Sequence, residues 1–338
     1  MVTIYDVAKR AGVSPATVSR VFNGISVSSA RAAAVQKAAE ELGFVRNRNA
    51  RRLRTNSSEI VAMMVPDIEN PFFSVMTRAV EDVVRTEGYS VMLCNTDEQP
   101  AREQDYFRVA VEEPVAGVIV VPSNDSTDLG PLIERGVPVV CVDRRVSRHD
   151  VDTVISDNAE AAAAAVRLLF DSGYRRVACV TGPEHVQTAD ERLAGWAEAV
   201  REVTGQEPEP DLIRRARYVV EGGEQATREL LALPQPPDAF FAANNRLAAG
   251  VIRILSERDL LPPKTGVVSF GGLPLVLLAP LGVLVTHQPA RELGLEAARL
   301  LLRRINGSNE PAHHIVLPVT IGDEDSGIGQ LDGANARA

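Results

Sequence analysis

The stretch Tyr5–Phe22, YDVAKRAGVSPATVSRVF, decides how this chain is read. Ile4, Val7, Ala8 and Ala11 recur at i, i+3, i+4 and i+7, the spacing of one apolar helix face. Thr3 stands ahead of them as N-cap with Asp6 three residues on, a capping-box arrangement. Gly12 supplies a break, Ser14 caps a second helix, and Pro15 takes its first position, where a missing N–H costs nothing. Val18 and Val21 face inward, which leaves Pro15, Ala16, Thr17, Ser19 and Arg20 outside. Two short helices about a glycine turn, the second opened by small residues with an arginine one turn on, suit a DNA major groove. Ala16 can meet a thymine methyl and Arg20 can donate two hydrogen bonds to a guanine. The plainer alternative, for this stretch alone, is a solvated helical hairpin.

The charge distribution separates these readings. The 338-residue chain is 45% hydrophobic and 24% charged, a globular composition with room for two or three domains. Its net charge of −9 by itself argues against nucleic acid. Residues 1–57, however, hold ten Lys and Arg against three Asp and Glu, a net of +7, and the remainder holds 26 against 42, a net of −16. A basic head on an acidic body is the footprint of a nucleic-acid-binding domain joined to one that is not. No apolar run of spanning length and no signal-peptide layout is present, so a cytoplasmic protein without a membrane partner is expected. Cys94, Cys141 and Cys179, each in an apolar run, read as reduced core residues, and no pair has metal-ligand spacing, so neither metal nor cofactor is expected. An enzyme fits poorly: His149, His185, His287, His313 and His314 fall in no catalytic motif, and no phosphate-binding glycine loop occurs. His287 reads as a satisfied strand-end residue.

Asn23-Gly24 is expected to form a loop before a third helix from Ser29 to Leu42, ended by Gly43, with Phe44 closing a small core. The basic run VRNRNARRLRTNSS, residues 45–58, cannot bury enough surface to fold alone. It reads as a linker, or as a hinge that becomes helical on DNA with Leu53 as a minor-groove wedge. From Glu59 the pattern changes to near-continuous apolar runs (IVAMMVPD, SVMLCNTD, AGVIVVPS, VPVVCVDR, TVISD) separated by helical segments, then a second series (RRVACVTG, AFFAANN, GVVSFGG). Strands apolar throughout are buried on both faces, which means parallel α/β sheets, here two doubly wound lobes. Ligands in such sheets bind at the strands' carboxyl ends, at Asp67, Asn95–Asp97, Asp143, Asp157 and Asn244. A late helix near Pro289–Ile305 and a strand over His314–Val319 complete the lobes, and the polar run from Asp323 reads as a tail.

TIYDVAKRAGVSPATVSRVFNG, NARRLRT, VPDIENPFF, TGPEHVQTADERLAGW, AFFAANN and THQPARELG together resemble the lac-repressor/galactose-repressor family of bacterial transcription regulators, in family order over about residues 2–322. The resemblance implies an all-α helix-turn-helix head (1–45), a hinge helix (46–58) and a two-lobed core like the periplasmic sugar-binding proteins (59–330). The lobes would be 59–157 with 290–317 and 158–286 with 318–330, joined by three crossovers, before a disordered tail at 331–338. It implies a homodimer on a near-palindromic DNA operator, modulated by a small-molecule effector between the lobes. Pro15, Ala16 and Arg20 then read bases, Ser14, Thr17, Ser19 and Asn23 contact phosphates, and Leu53, with Ala50 beside it, enters the minor groove. Asn70, Phe72, Phe73, Asp143, Arg192, Tyr218 and Asn244 carry over to the effector cleft. Several positions depart from the family pattern. Arg46 replaces a usual proline, Ala30 a common threonine, and Gly271 and Asn245 stand where many members have aspartate. Loss of the Gly271 acceptor implies an effector unlike the usual simple sugars, or a cleft that is weak or unused. The alternatives are therefore an effector-blind repressor or architectural DNA-binding protein, and a periplasmic sugar-binding protein, against which the basic head argues.

Overall fold

A computed structural model of the chain describes residues 2–22, 27–44, 58–273 and 282–323. It divides into two units, Met1–Ser58 and Glu59–Ala338.

In the first unit α1 (Ile4–Ala11) carries the capping box. The Asp6 carboxylate accepts the Thr3 N–H at 2.8 Å, while the Asp6 N–H donates to the Thr3 hydroxyl at 3.4 Å. Gly12 ends the helix at φ 68°, a left-handed conformation that suits glycine. α2 (Pro15–Phe22) starts where the Ser14 hydroxyl accepts the Thr17 N–H at 3.1 Å. α3 (Ser29–Glu41) has no side-chain bond from its N-cap Ser28 and lies across the pair. Val7, Ala8, Val18, Val35, Ala38 and Ala39 form the core, with Val21 against it and the Phe22 and Phe44 rings 5.8 Å apart. A core of six small side chains is thin, as expected for under fifty residues. Asn23, Gly24, Ala50, Leu53, most of the expected hinge helix and the tail at 331–338 lie outside the described residues.

The second unit holds two six-stranded sheets. The first orders β11 (His314–Leu317), β5 (Asp152–Ser156), β4 (Val139–Val142), β3 (Gly117–Val120), β1 (Ile60–Val65) and β2 (Ser90–Asn95), all parallel. The second orders β12 (Thr320–Asp323), β10 (Val283–His287), β9 (Gly266–Phe270), β8 (Ala239–Ala242), β6 (Val177–Thr181) and β7 (Ile213–Arg215), parallel except for β12 against β10. Strand β1 explains the continuous apolar runs. Val61, Met63 and Val65 enter one core and Ala62 and Met64 the other, because successive side chains leave opposite faces and both are covered.

Helices follow strands: α4 (Pro71–Thr86), α5 (Pro100–Glu112) and the short α6 (Gly130–Ile133) in the first lobe. The second has α7 (Asn158–Asp171), α8 (Gln187–Thr204), α9 (Val220–Leu231) and α10 (Asn245–Glu257). α11 (Ala290–Ile305) returns to pack on α4 and β4 of the first lobe. The chain crosses between lobes after β5, after β10 and between β11 and β12.

Three strands were not singled out in sequence. β7 carries Arg214 and Arg215 on a sheet edge, β10 follows a segment outside the described residues, and β12 is short and takes in Asp323, which had been read as tail. His287 closes β10 but is not satisfied: its Nε2 is buried without a hydrogen-bond partner. The three cysteines are buried, and burial pushes the Cys94 thiol up to about 11 and the other two higher, which makes all three poor nucleophiles.

Candidate functional site: a recognition helix and an interlobe cleft

On the head, Ser14, Pro15, Ala16 and Arg20 are exposed and Thr17 and Ser19 half-buried, so the side chains assigned to DNA share the outer face of α2. Ser14 and Thr17 are engaged with each other, their hydroxyls 2.9 Å apart. Arg20 pairs with nothing among the described residues. Tyr5, 70% exposed, is a large head side chain that sequence reasoning passed over. Only its exposed place on α1 could have marked it.

The second unit brings Asn70, Phe72, Phe73, Asp143, Arg192, Tyr218 and Asn244 together around one cavity of about 670 Å³. All but Arg192 stand at or within one or two helical turns of the carboxyl end of a strand, where connections are free of the ladder, and Arg192 projects from the second turn of α8. Asn70 caps α4 by accepting the Phe72 N–H at 3.1 Å, and Asn244 caps α10 by accepting the Arg246 and Leu247 N–H groups at 2.8 and 3.3 Å. Phe72 and Phe73 meet edge to face, ring centroids 5.0 Å apart. Phe73 is mainly a core residue, and Phe72 is the more exposed ring of the pair.

The polar floor is strained and incompletely paired. Asp143 follows β4 at φ 66°, a conformation uncommon outside glycine, and is 3% exposed. Its Oδ1 is buried without a hydrogen-bond partner. The arginines next to it in sequence, Arg144 and Arg145, are committed elsewhere. Arg144 Nε stays 3.7 Å away, while the Arg144 guanidinium forks onto Glu98 at 2.7 and 2.8 Å, and Arg145 pairs with Glu191 at 2.9 Å. Burial therefore raises the Asp143 pKa, against the opposing pull of Arg144 and Arg192. Burial works against the Arg144 charge too, but Glu98 outweighs it and stabilises the cation.

Arg192 is 4% exposed and anchored on two sides. Nε donates to Asn158 at 2.9 Å, Nη1 to the Ala243 carbonyl at 2.9 Å, and the guanidinium lies 4.0 Å over the Phe270 ring. Burial pulls its pKa down. A ligand thus meets an arginine fixed through Nε and Nη1, and these two bonds use only two of its five N–H donors. The Tyr218 hydroxyl is buried and makes no well-formed hydrogen bond; burial raises its pKa, against a weaker downward pull from Arg192, Arg144 and the neighbouring Thr188. Tyr218 lies flat against Gly182, where a Cβ would fall 2.3 Å from Cζ.

Sequence reasoning missed Glu98, Arg144, Arg246 and Gln288, all of which line the cavity. Gly271 is absent from the lining, and a Cβ there would stand 2.9 Å from Gln288 Oε1. The Gln288 amide therefore fills the place beside Gly271, and this wall is neutral rather than acidic. The THQP motif around Gln288 was the available signal.

Two parallel-sheet lobes closing on a polar cleft, in a chain that also carries a capped helix-turn-helix, define a ligand-sensing, DNA-binding regulator. Residues 58–322 match the family described as periplasmic binding proteins and sugar-binding domain of the LacI family, and residues 3–47 match bacterial regulatory proteins, lacI family. The chain belongs to the LacI family and is a DNA-binding transcriptional repressor, not an enzyme. It is 33% identical over 343 residues to the ribose operon repressor of Halalkalibacterium halodurans, covering 99% of this chain and 100% of that protein. It is 32% identical to the repressor CytR of Escherichia coli, covering 91% of each. Among solved structures it resembles the lac repressor dimer bound to operator and an anti-inducer, with TM-score 0.84 and 25% identity over 95% of this chain and 98% of that one. It also resembles the regulator CelR in complex with cellobiose, with TM-score 0.72 and 29% identity over 96% and 99% of the two chains. No helix among the described residues is long and apolar enough to cross a membrane.

Proposed function

We propose that the chain binds a near-palindromic operator as a homodimer in the bacterial cytoplasm, and that a small polyhydroxylated molecule held between the lobes modulates that binding. The head would read bases with Pro15, Ala16 and Arg20 and phosphates with Ser14, Thr17, Ser19 and Asn23, while Ala50 and Leu53 meet the minor groove. The effector reading is carried by one observation: the buried Asp143 Oδ1 and Tyr218 hydroxyl have no partners, and both line the same cavity. An unpaired buried polar atom is costly, and a ligand hydroxyl that donates to Asp143 and accepts from Tyr218 would remove both penalties at once. Relatives point to the ligand class, since the solved proteins include one with cellobiose and an Enterococcus faecium regulator, 28% identical, with ribose.

The unpaired Asp143 oxygen also speaks against an effector-blind repressor, the reading the Gly271 departure had kept open. Control by the effector is a population shift, limited by its differential affinity for the operator-competent state and the other state. The test is a calorimetric titration of the full chain with ribose, cellobiose and a panel of pentoses, hexoses and nucleosides, paired with operator binding on a duplex selected from random sequence. Binding of a panel member that moves operator affinity supports the proposal. Operator binding unmoved by every compound returns the reading to an effector-blind repressor.

A further inference from the structure

Among the described residues two polar bridges span the cleft, one at the β1–α4 connection of the first lobe and one at the start of α8 in the second. In the second lobe, Gln187 Oε1 accepts the Arg145 N–H at 2.7 Å and Glu191 Oε1 takes Arg145 Nη2 at 2.9 Å. In the first lobe, Asn70 Oδ1 accepts a buried bond from Asn245 Nδ2 at 3.1 Å, and Arg246 Nη2 reaches Glu69 at 3.2 Å with Nη1 3.7 Å from Asp67.

We propose that the Asn70–Asn245 bond and the Arg246 ion pairs form a latch that holds the lobes closed before any effector binds. Both halves of the latch are rigid. On one side Asp67 Oδ1 accepts the Glu69 N–H at 2.9 Å, Asn95 accepts the Ile68 N–H at 3.2 Å, and Asn70 is fixed as the cap of α4. On the other, Asn245 and Arg246 open α10 just after its cap Asn244, and Asn245 Nδ2 is held also by the Gly272 carbonyl at 3.2 Å. Asn245 suits this role where an aspartate would not. Asn70 Oδ1 is already an acceptor for the Phe72 N–H, and only a donor at 245 can meet it.

The latch is weak by construction. The amide bond exchanges for water on opening, and Arg246 pairs with the largely exposed Glu69, so together they shift the closed-to-open ratio by about tenfold. That is strong enough to populate the closed state and weak enough for a ligand to override. A regulatory consequence, resting on the effector reading above, follows from size. An effector that fits the closed cavity adds to the latch, and one too large must break it, so the two change operator affinity in opposite directions.

Hydrogen exchange on the ligand-free full chain tests the latch, comparing wild type with N245A/R246Q, with R246E and with the charge reversal E69R/R246E. In N245A/R246Q, exchange across Pro66–Phe73 is expected to rise about tenfold while peptides of the head are unchanged. Pro66–Phe73 lies in the opposite lobe from both substitutions, so local fraying of α10 does not move it. The charge reversal keeps the Asn70–Asn245 bond and is expected to exchange about threefold more slowly than R246E alone, whose new carboxylate faces both Glu69 and Asp67. If the double substitution fails to fold, R246Q alone is expected to give about a threefold rise. Unchanged exchange at Pro66–Phe73 overturns the latch, and a charge reversal that exchanges as fast as R246E alone removes the ion pair from it. A wild-type chain that binds neither operator nor effector would undo the proposed function and leave these exchange results standing.

Discussion

Replacing Asp143 with asparagine should make the ligand-free protein more stable while abolishing its response to effector. The wild-type carboxylate is buried, its Oδ1 has no partner, and its nearest cation stays 3.7 Å from Oδ2. Asparagine keeps the shape, removes the charge and tolerates φ 66° at least as well. A polar atom stays at the unpaired position, so the gain is the removal of a buried charge that lacks a close cation, worth about 1–2 kcal/mol. In a domain of this size that raises the melting temperature by about 2–6 °C. The pH dependence has a definite sign. Burial puts the folded-state pKa above the unfolded value of about 3.9, so wild type binds its proton more tightly when folded and loses stability as pH rises between the two. The stability gained in D143N should therefore be small near pH 4 and grow with pH until the wild-type carboxyl is fully ionised in the folded state. Urea melts of the full chain from pH 4 to pH 8 measure this directly. A variant less stable than wild type by about 1 kcal/mol or more at pH 7.5 would refute the argument, because the carboxylate would then be in net favourable contact with Arg144 and Arg192.

Arg20→Ala should cost about 1–3 kcal/mol of operator affinity and relax preference at one base position per half-site, read by binding to a library of operator variants. Weakening that is uniform across sequences would make Arg20 a phosphate contact. Leu53→Ala should leave the head folded yet weaken specific over non-specific binding, and an unchanged operator bend by gel mobility would remove the wedge. Gly182→Ala places a Cβ 2.3 Å from Tyr218 Cζ, so the ring must swing and effector affinity should fall at least tenfold by calorimetry, with operator binding kept. Asp152→Asn breaks the two-pronged pair to Arg304, at 2.6 and 2.8 Å, and should destabilise the body by about 2–4 kcal/mol at neutral pH. Although burial opposes it, the Arg304 bond holds the Asp152 carboxyl below its usual range, so its stabilisation is present above about pH 4 and lost as pH falls. Wild-type and D152N melting temperatures should converge in acid.

The sequence by itself determined what depends on neighbours along the chain. The capping box of Thr3 and Asp6, the turn at Gly12 and the start of α2 at Pro15 are contacts within a few residues, so spacing alone reveals them. The apolar runs of β1 and β3 announced sheets covered on both faces for the same reason. Motif order assembled the cleft candidates, and all seven line the cavity. Tertiary structure alone decided what each does there, because the deciding partners lie tens to hundreds of residues away. Arg192 lines the cavity as its motif implies, but the partners that fix it there, Asn158, Ala243 and Phe270, come from three other elements. Asp143 stands next to Arg144 in sequence, yet Glu98 takes the Arg144 guanidinium and leaves Asp143 Oδ1 without a partner. Gly271 read as a lost acceptor, and only the fold shows the Gln288 amide in that space. Local periodicity and capping act over one or two turns of chain. The pairing of a buried charge depends on whichever distant segment packing brings within about 3 Å, and no spacing along the sequence encodes that choice.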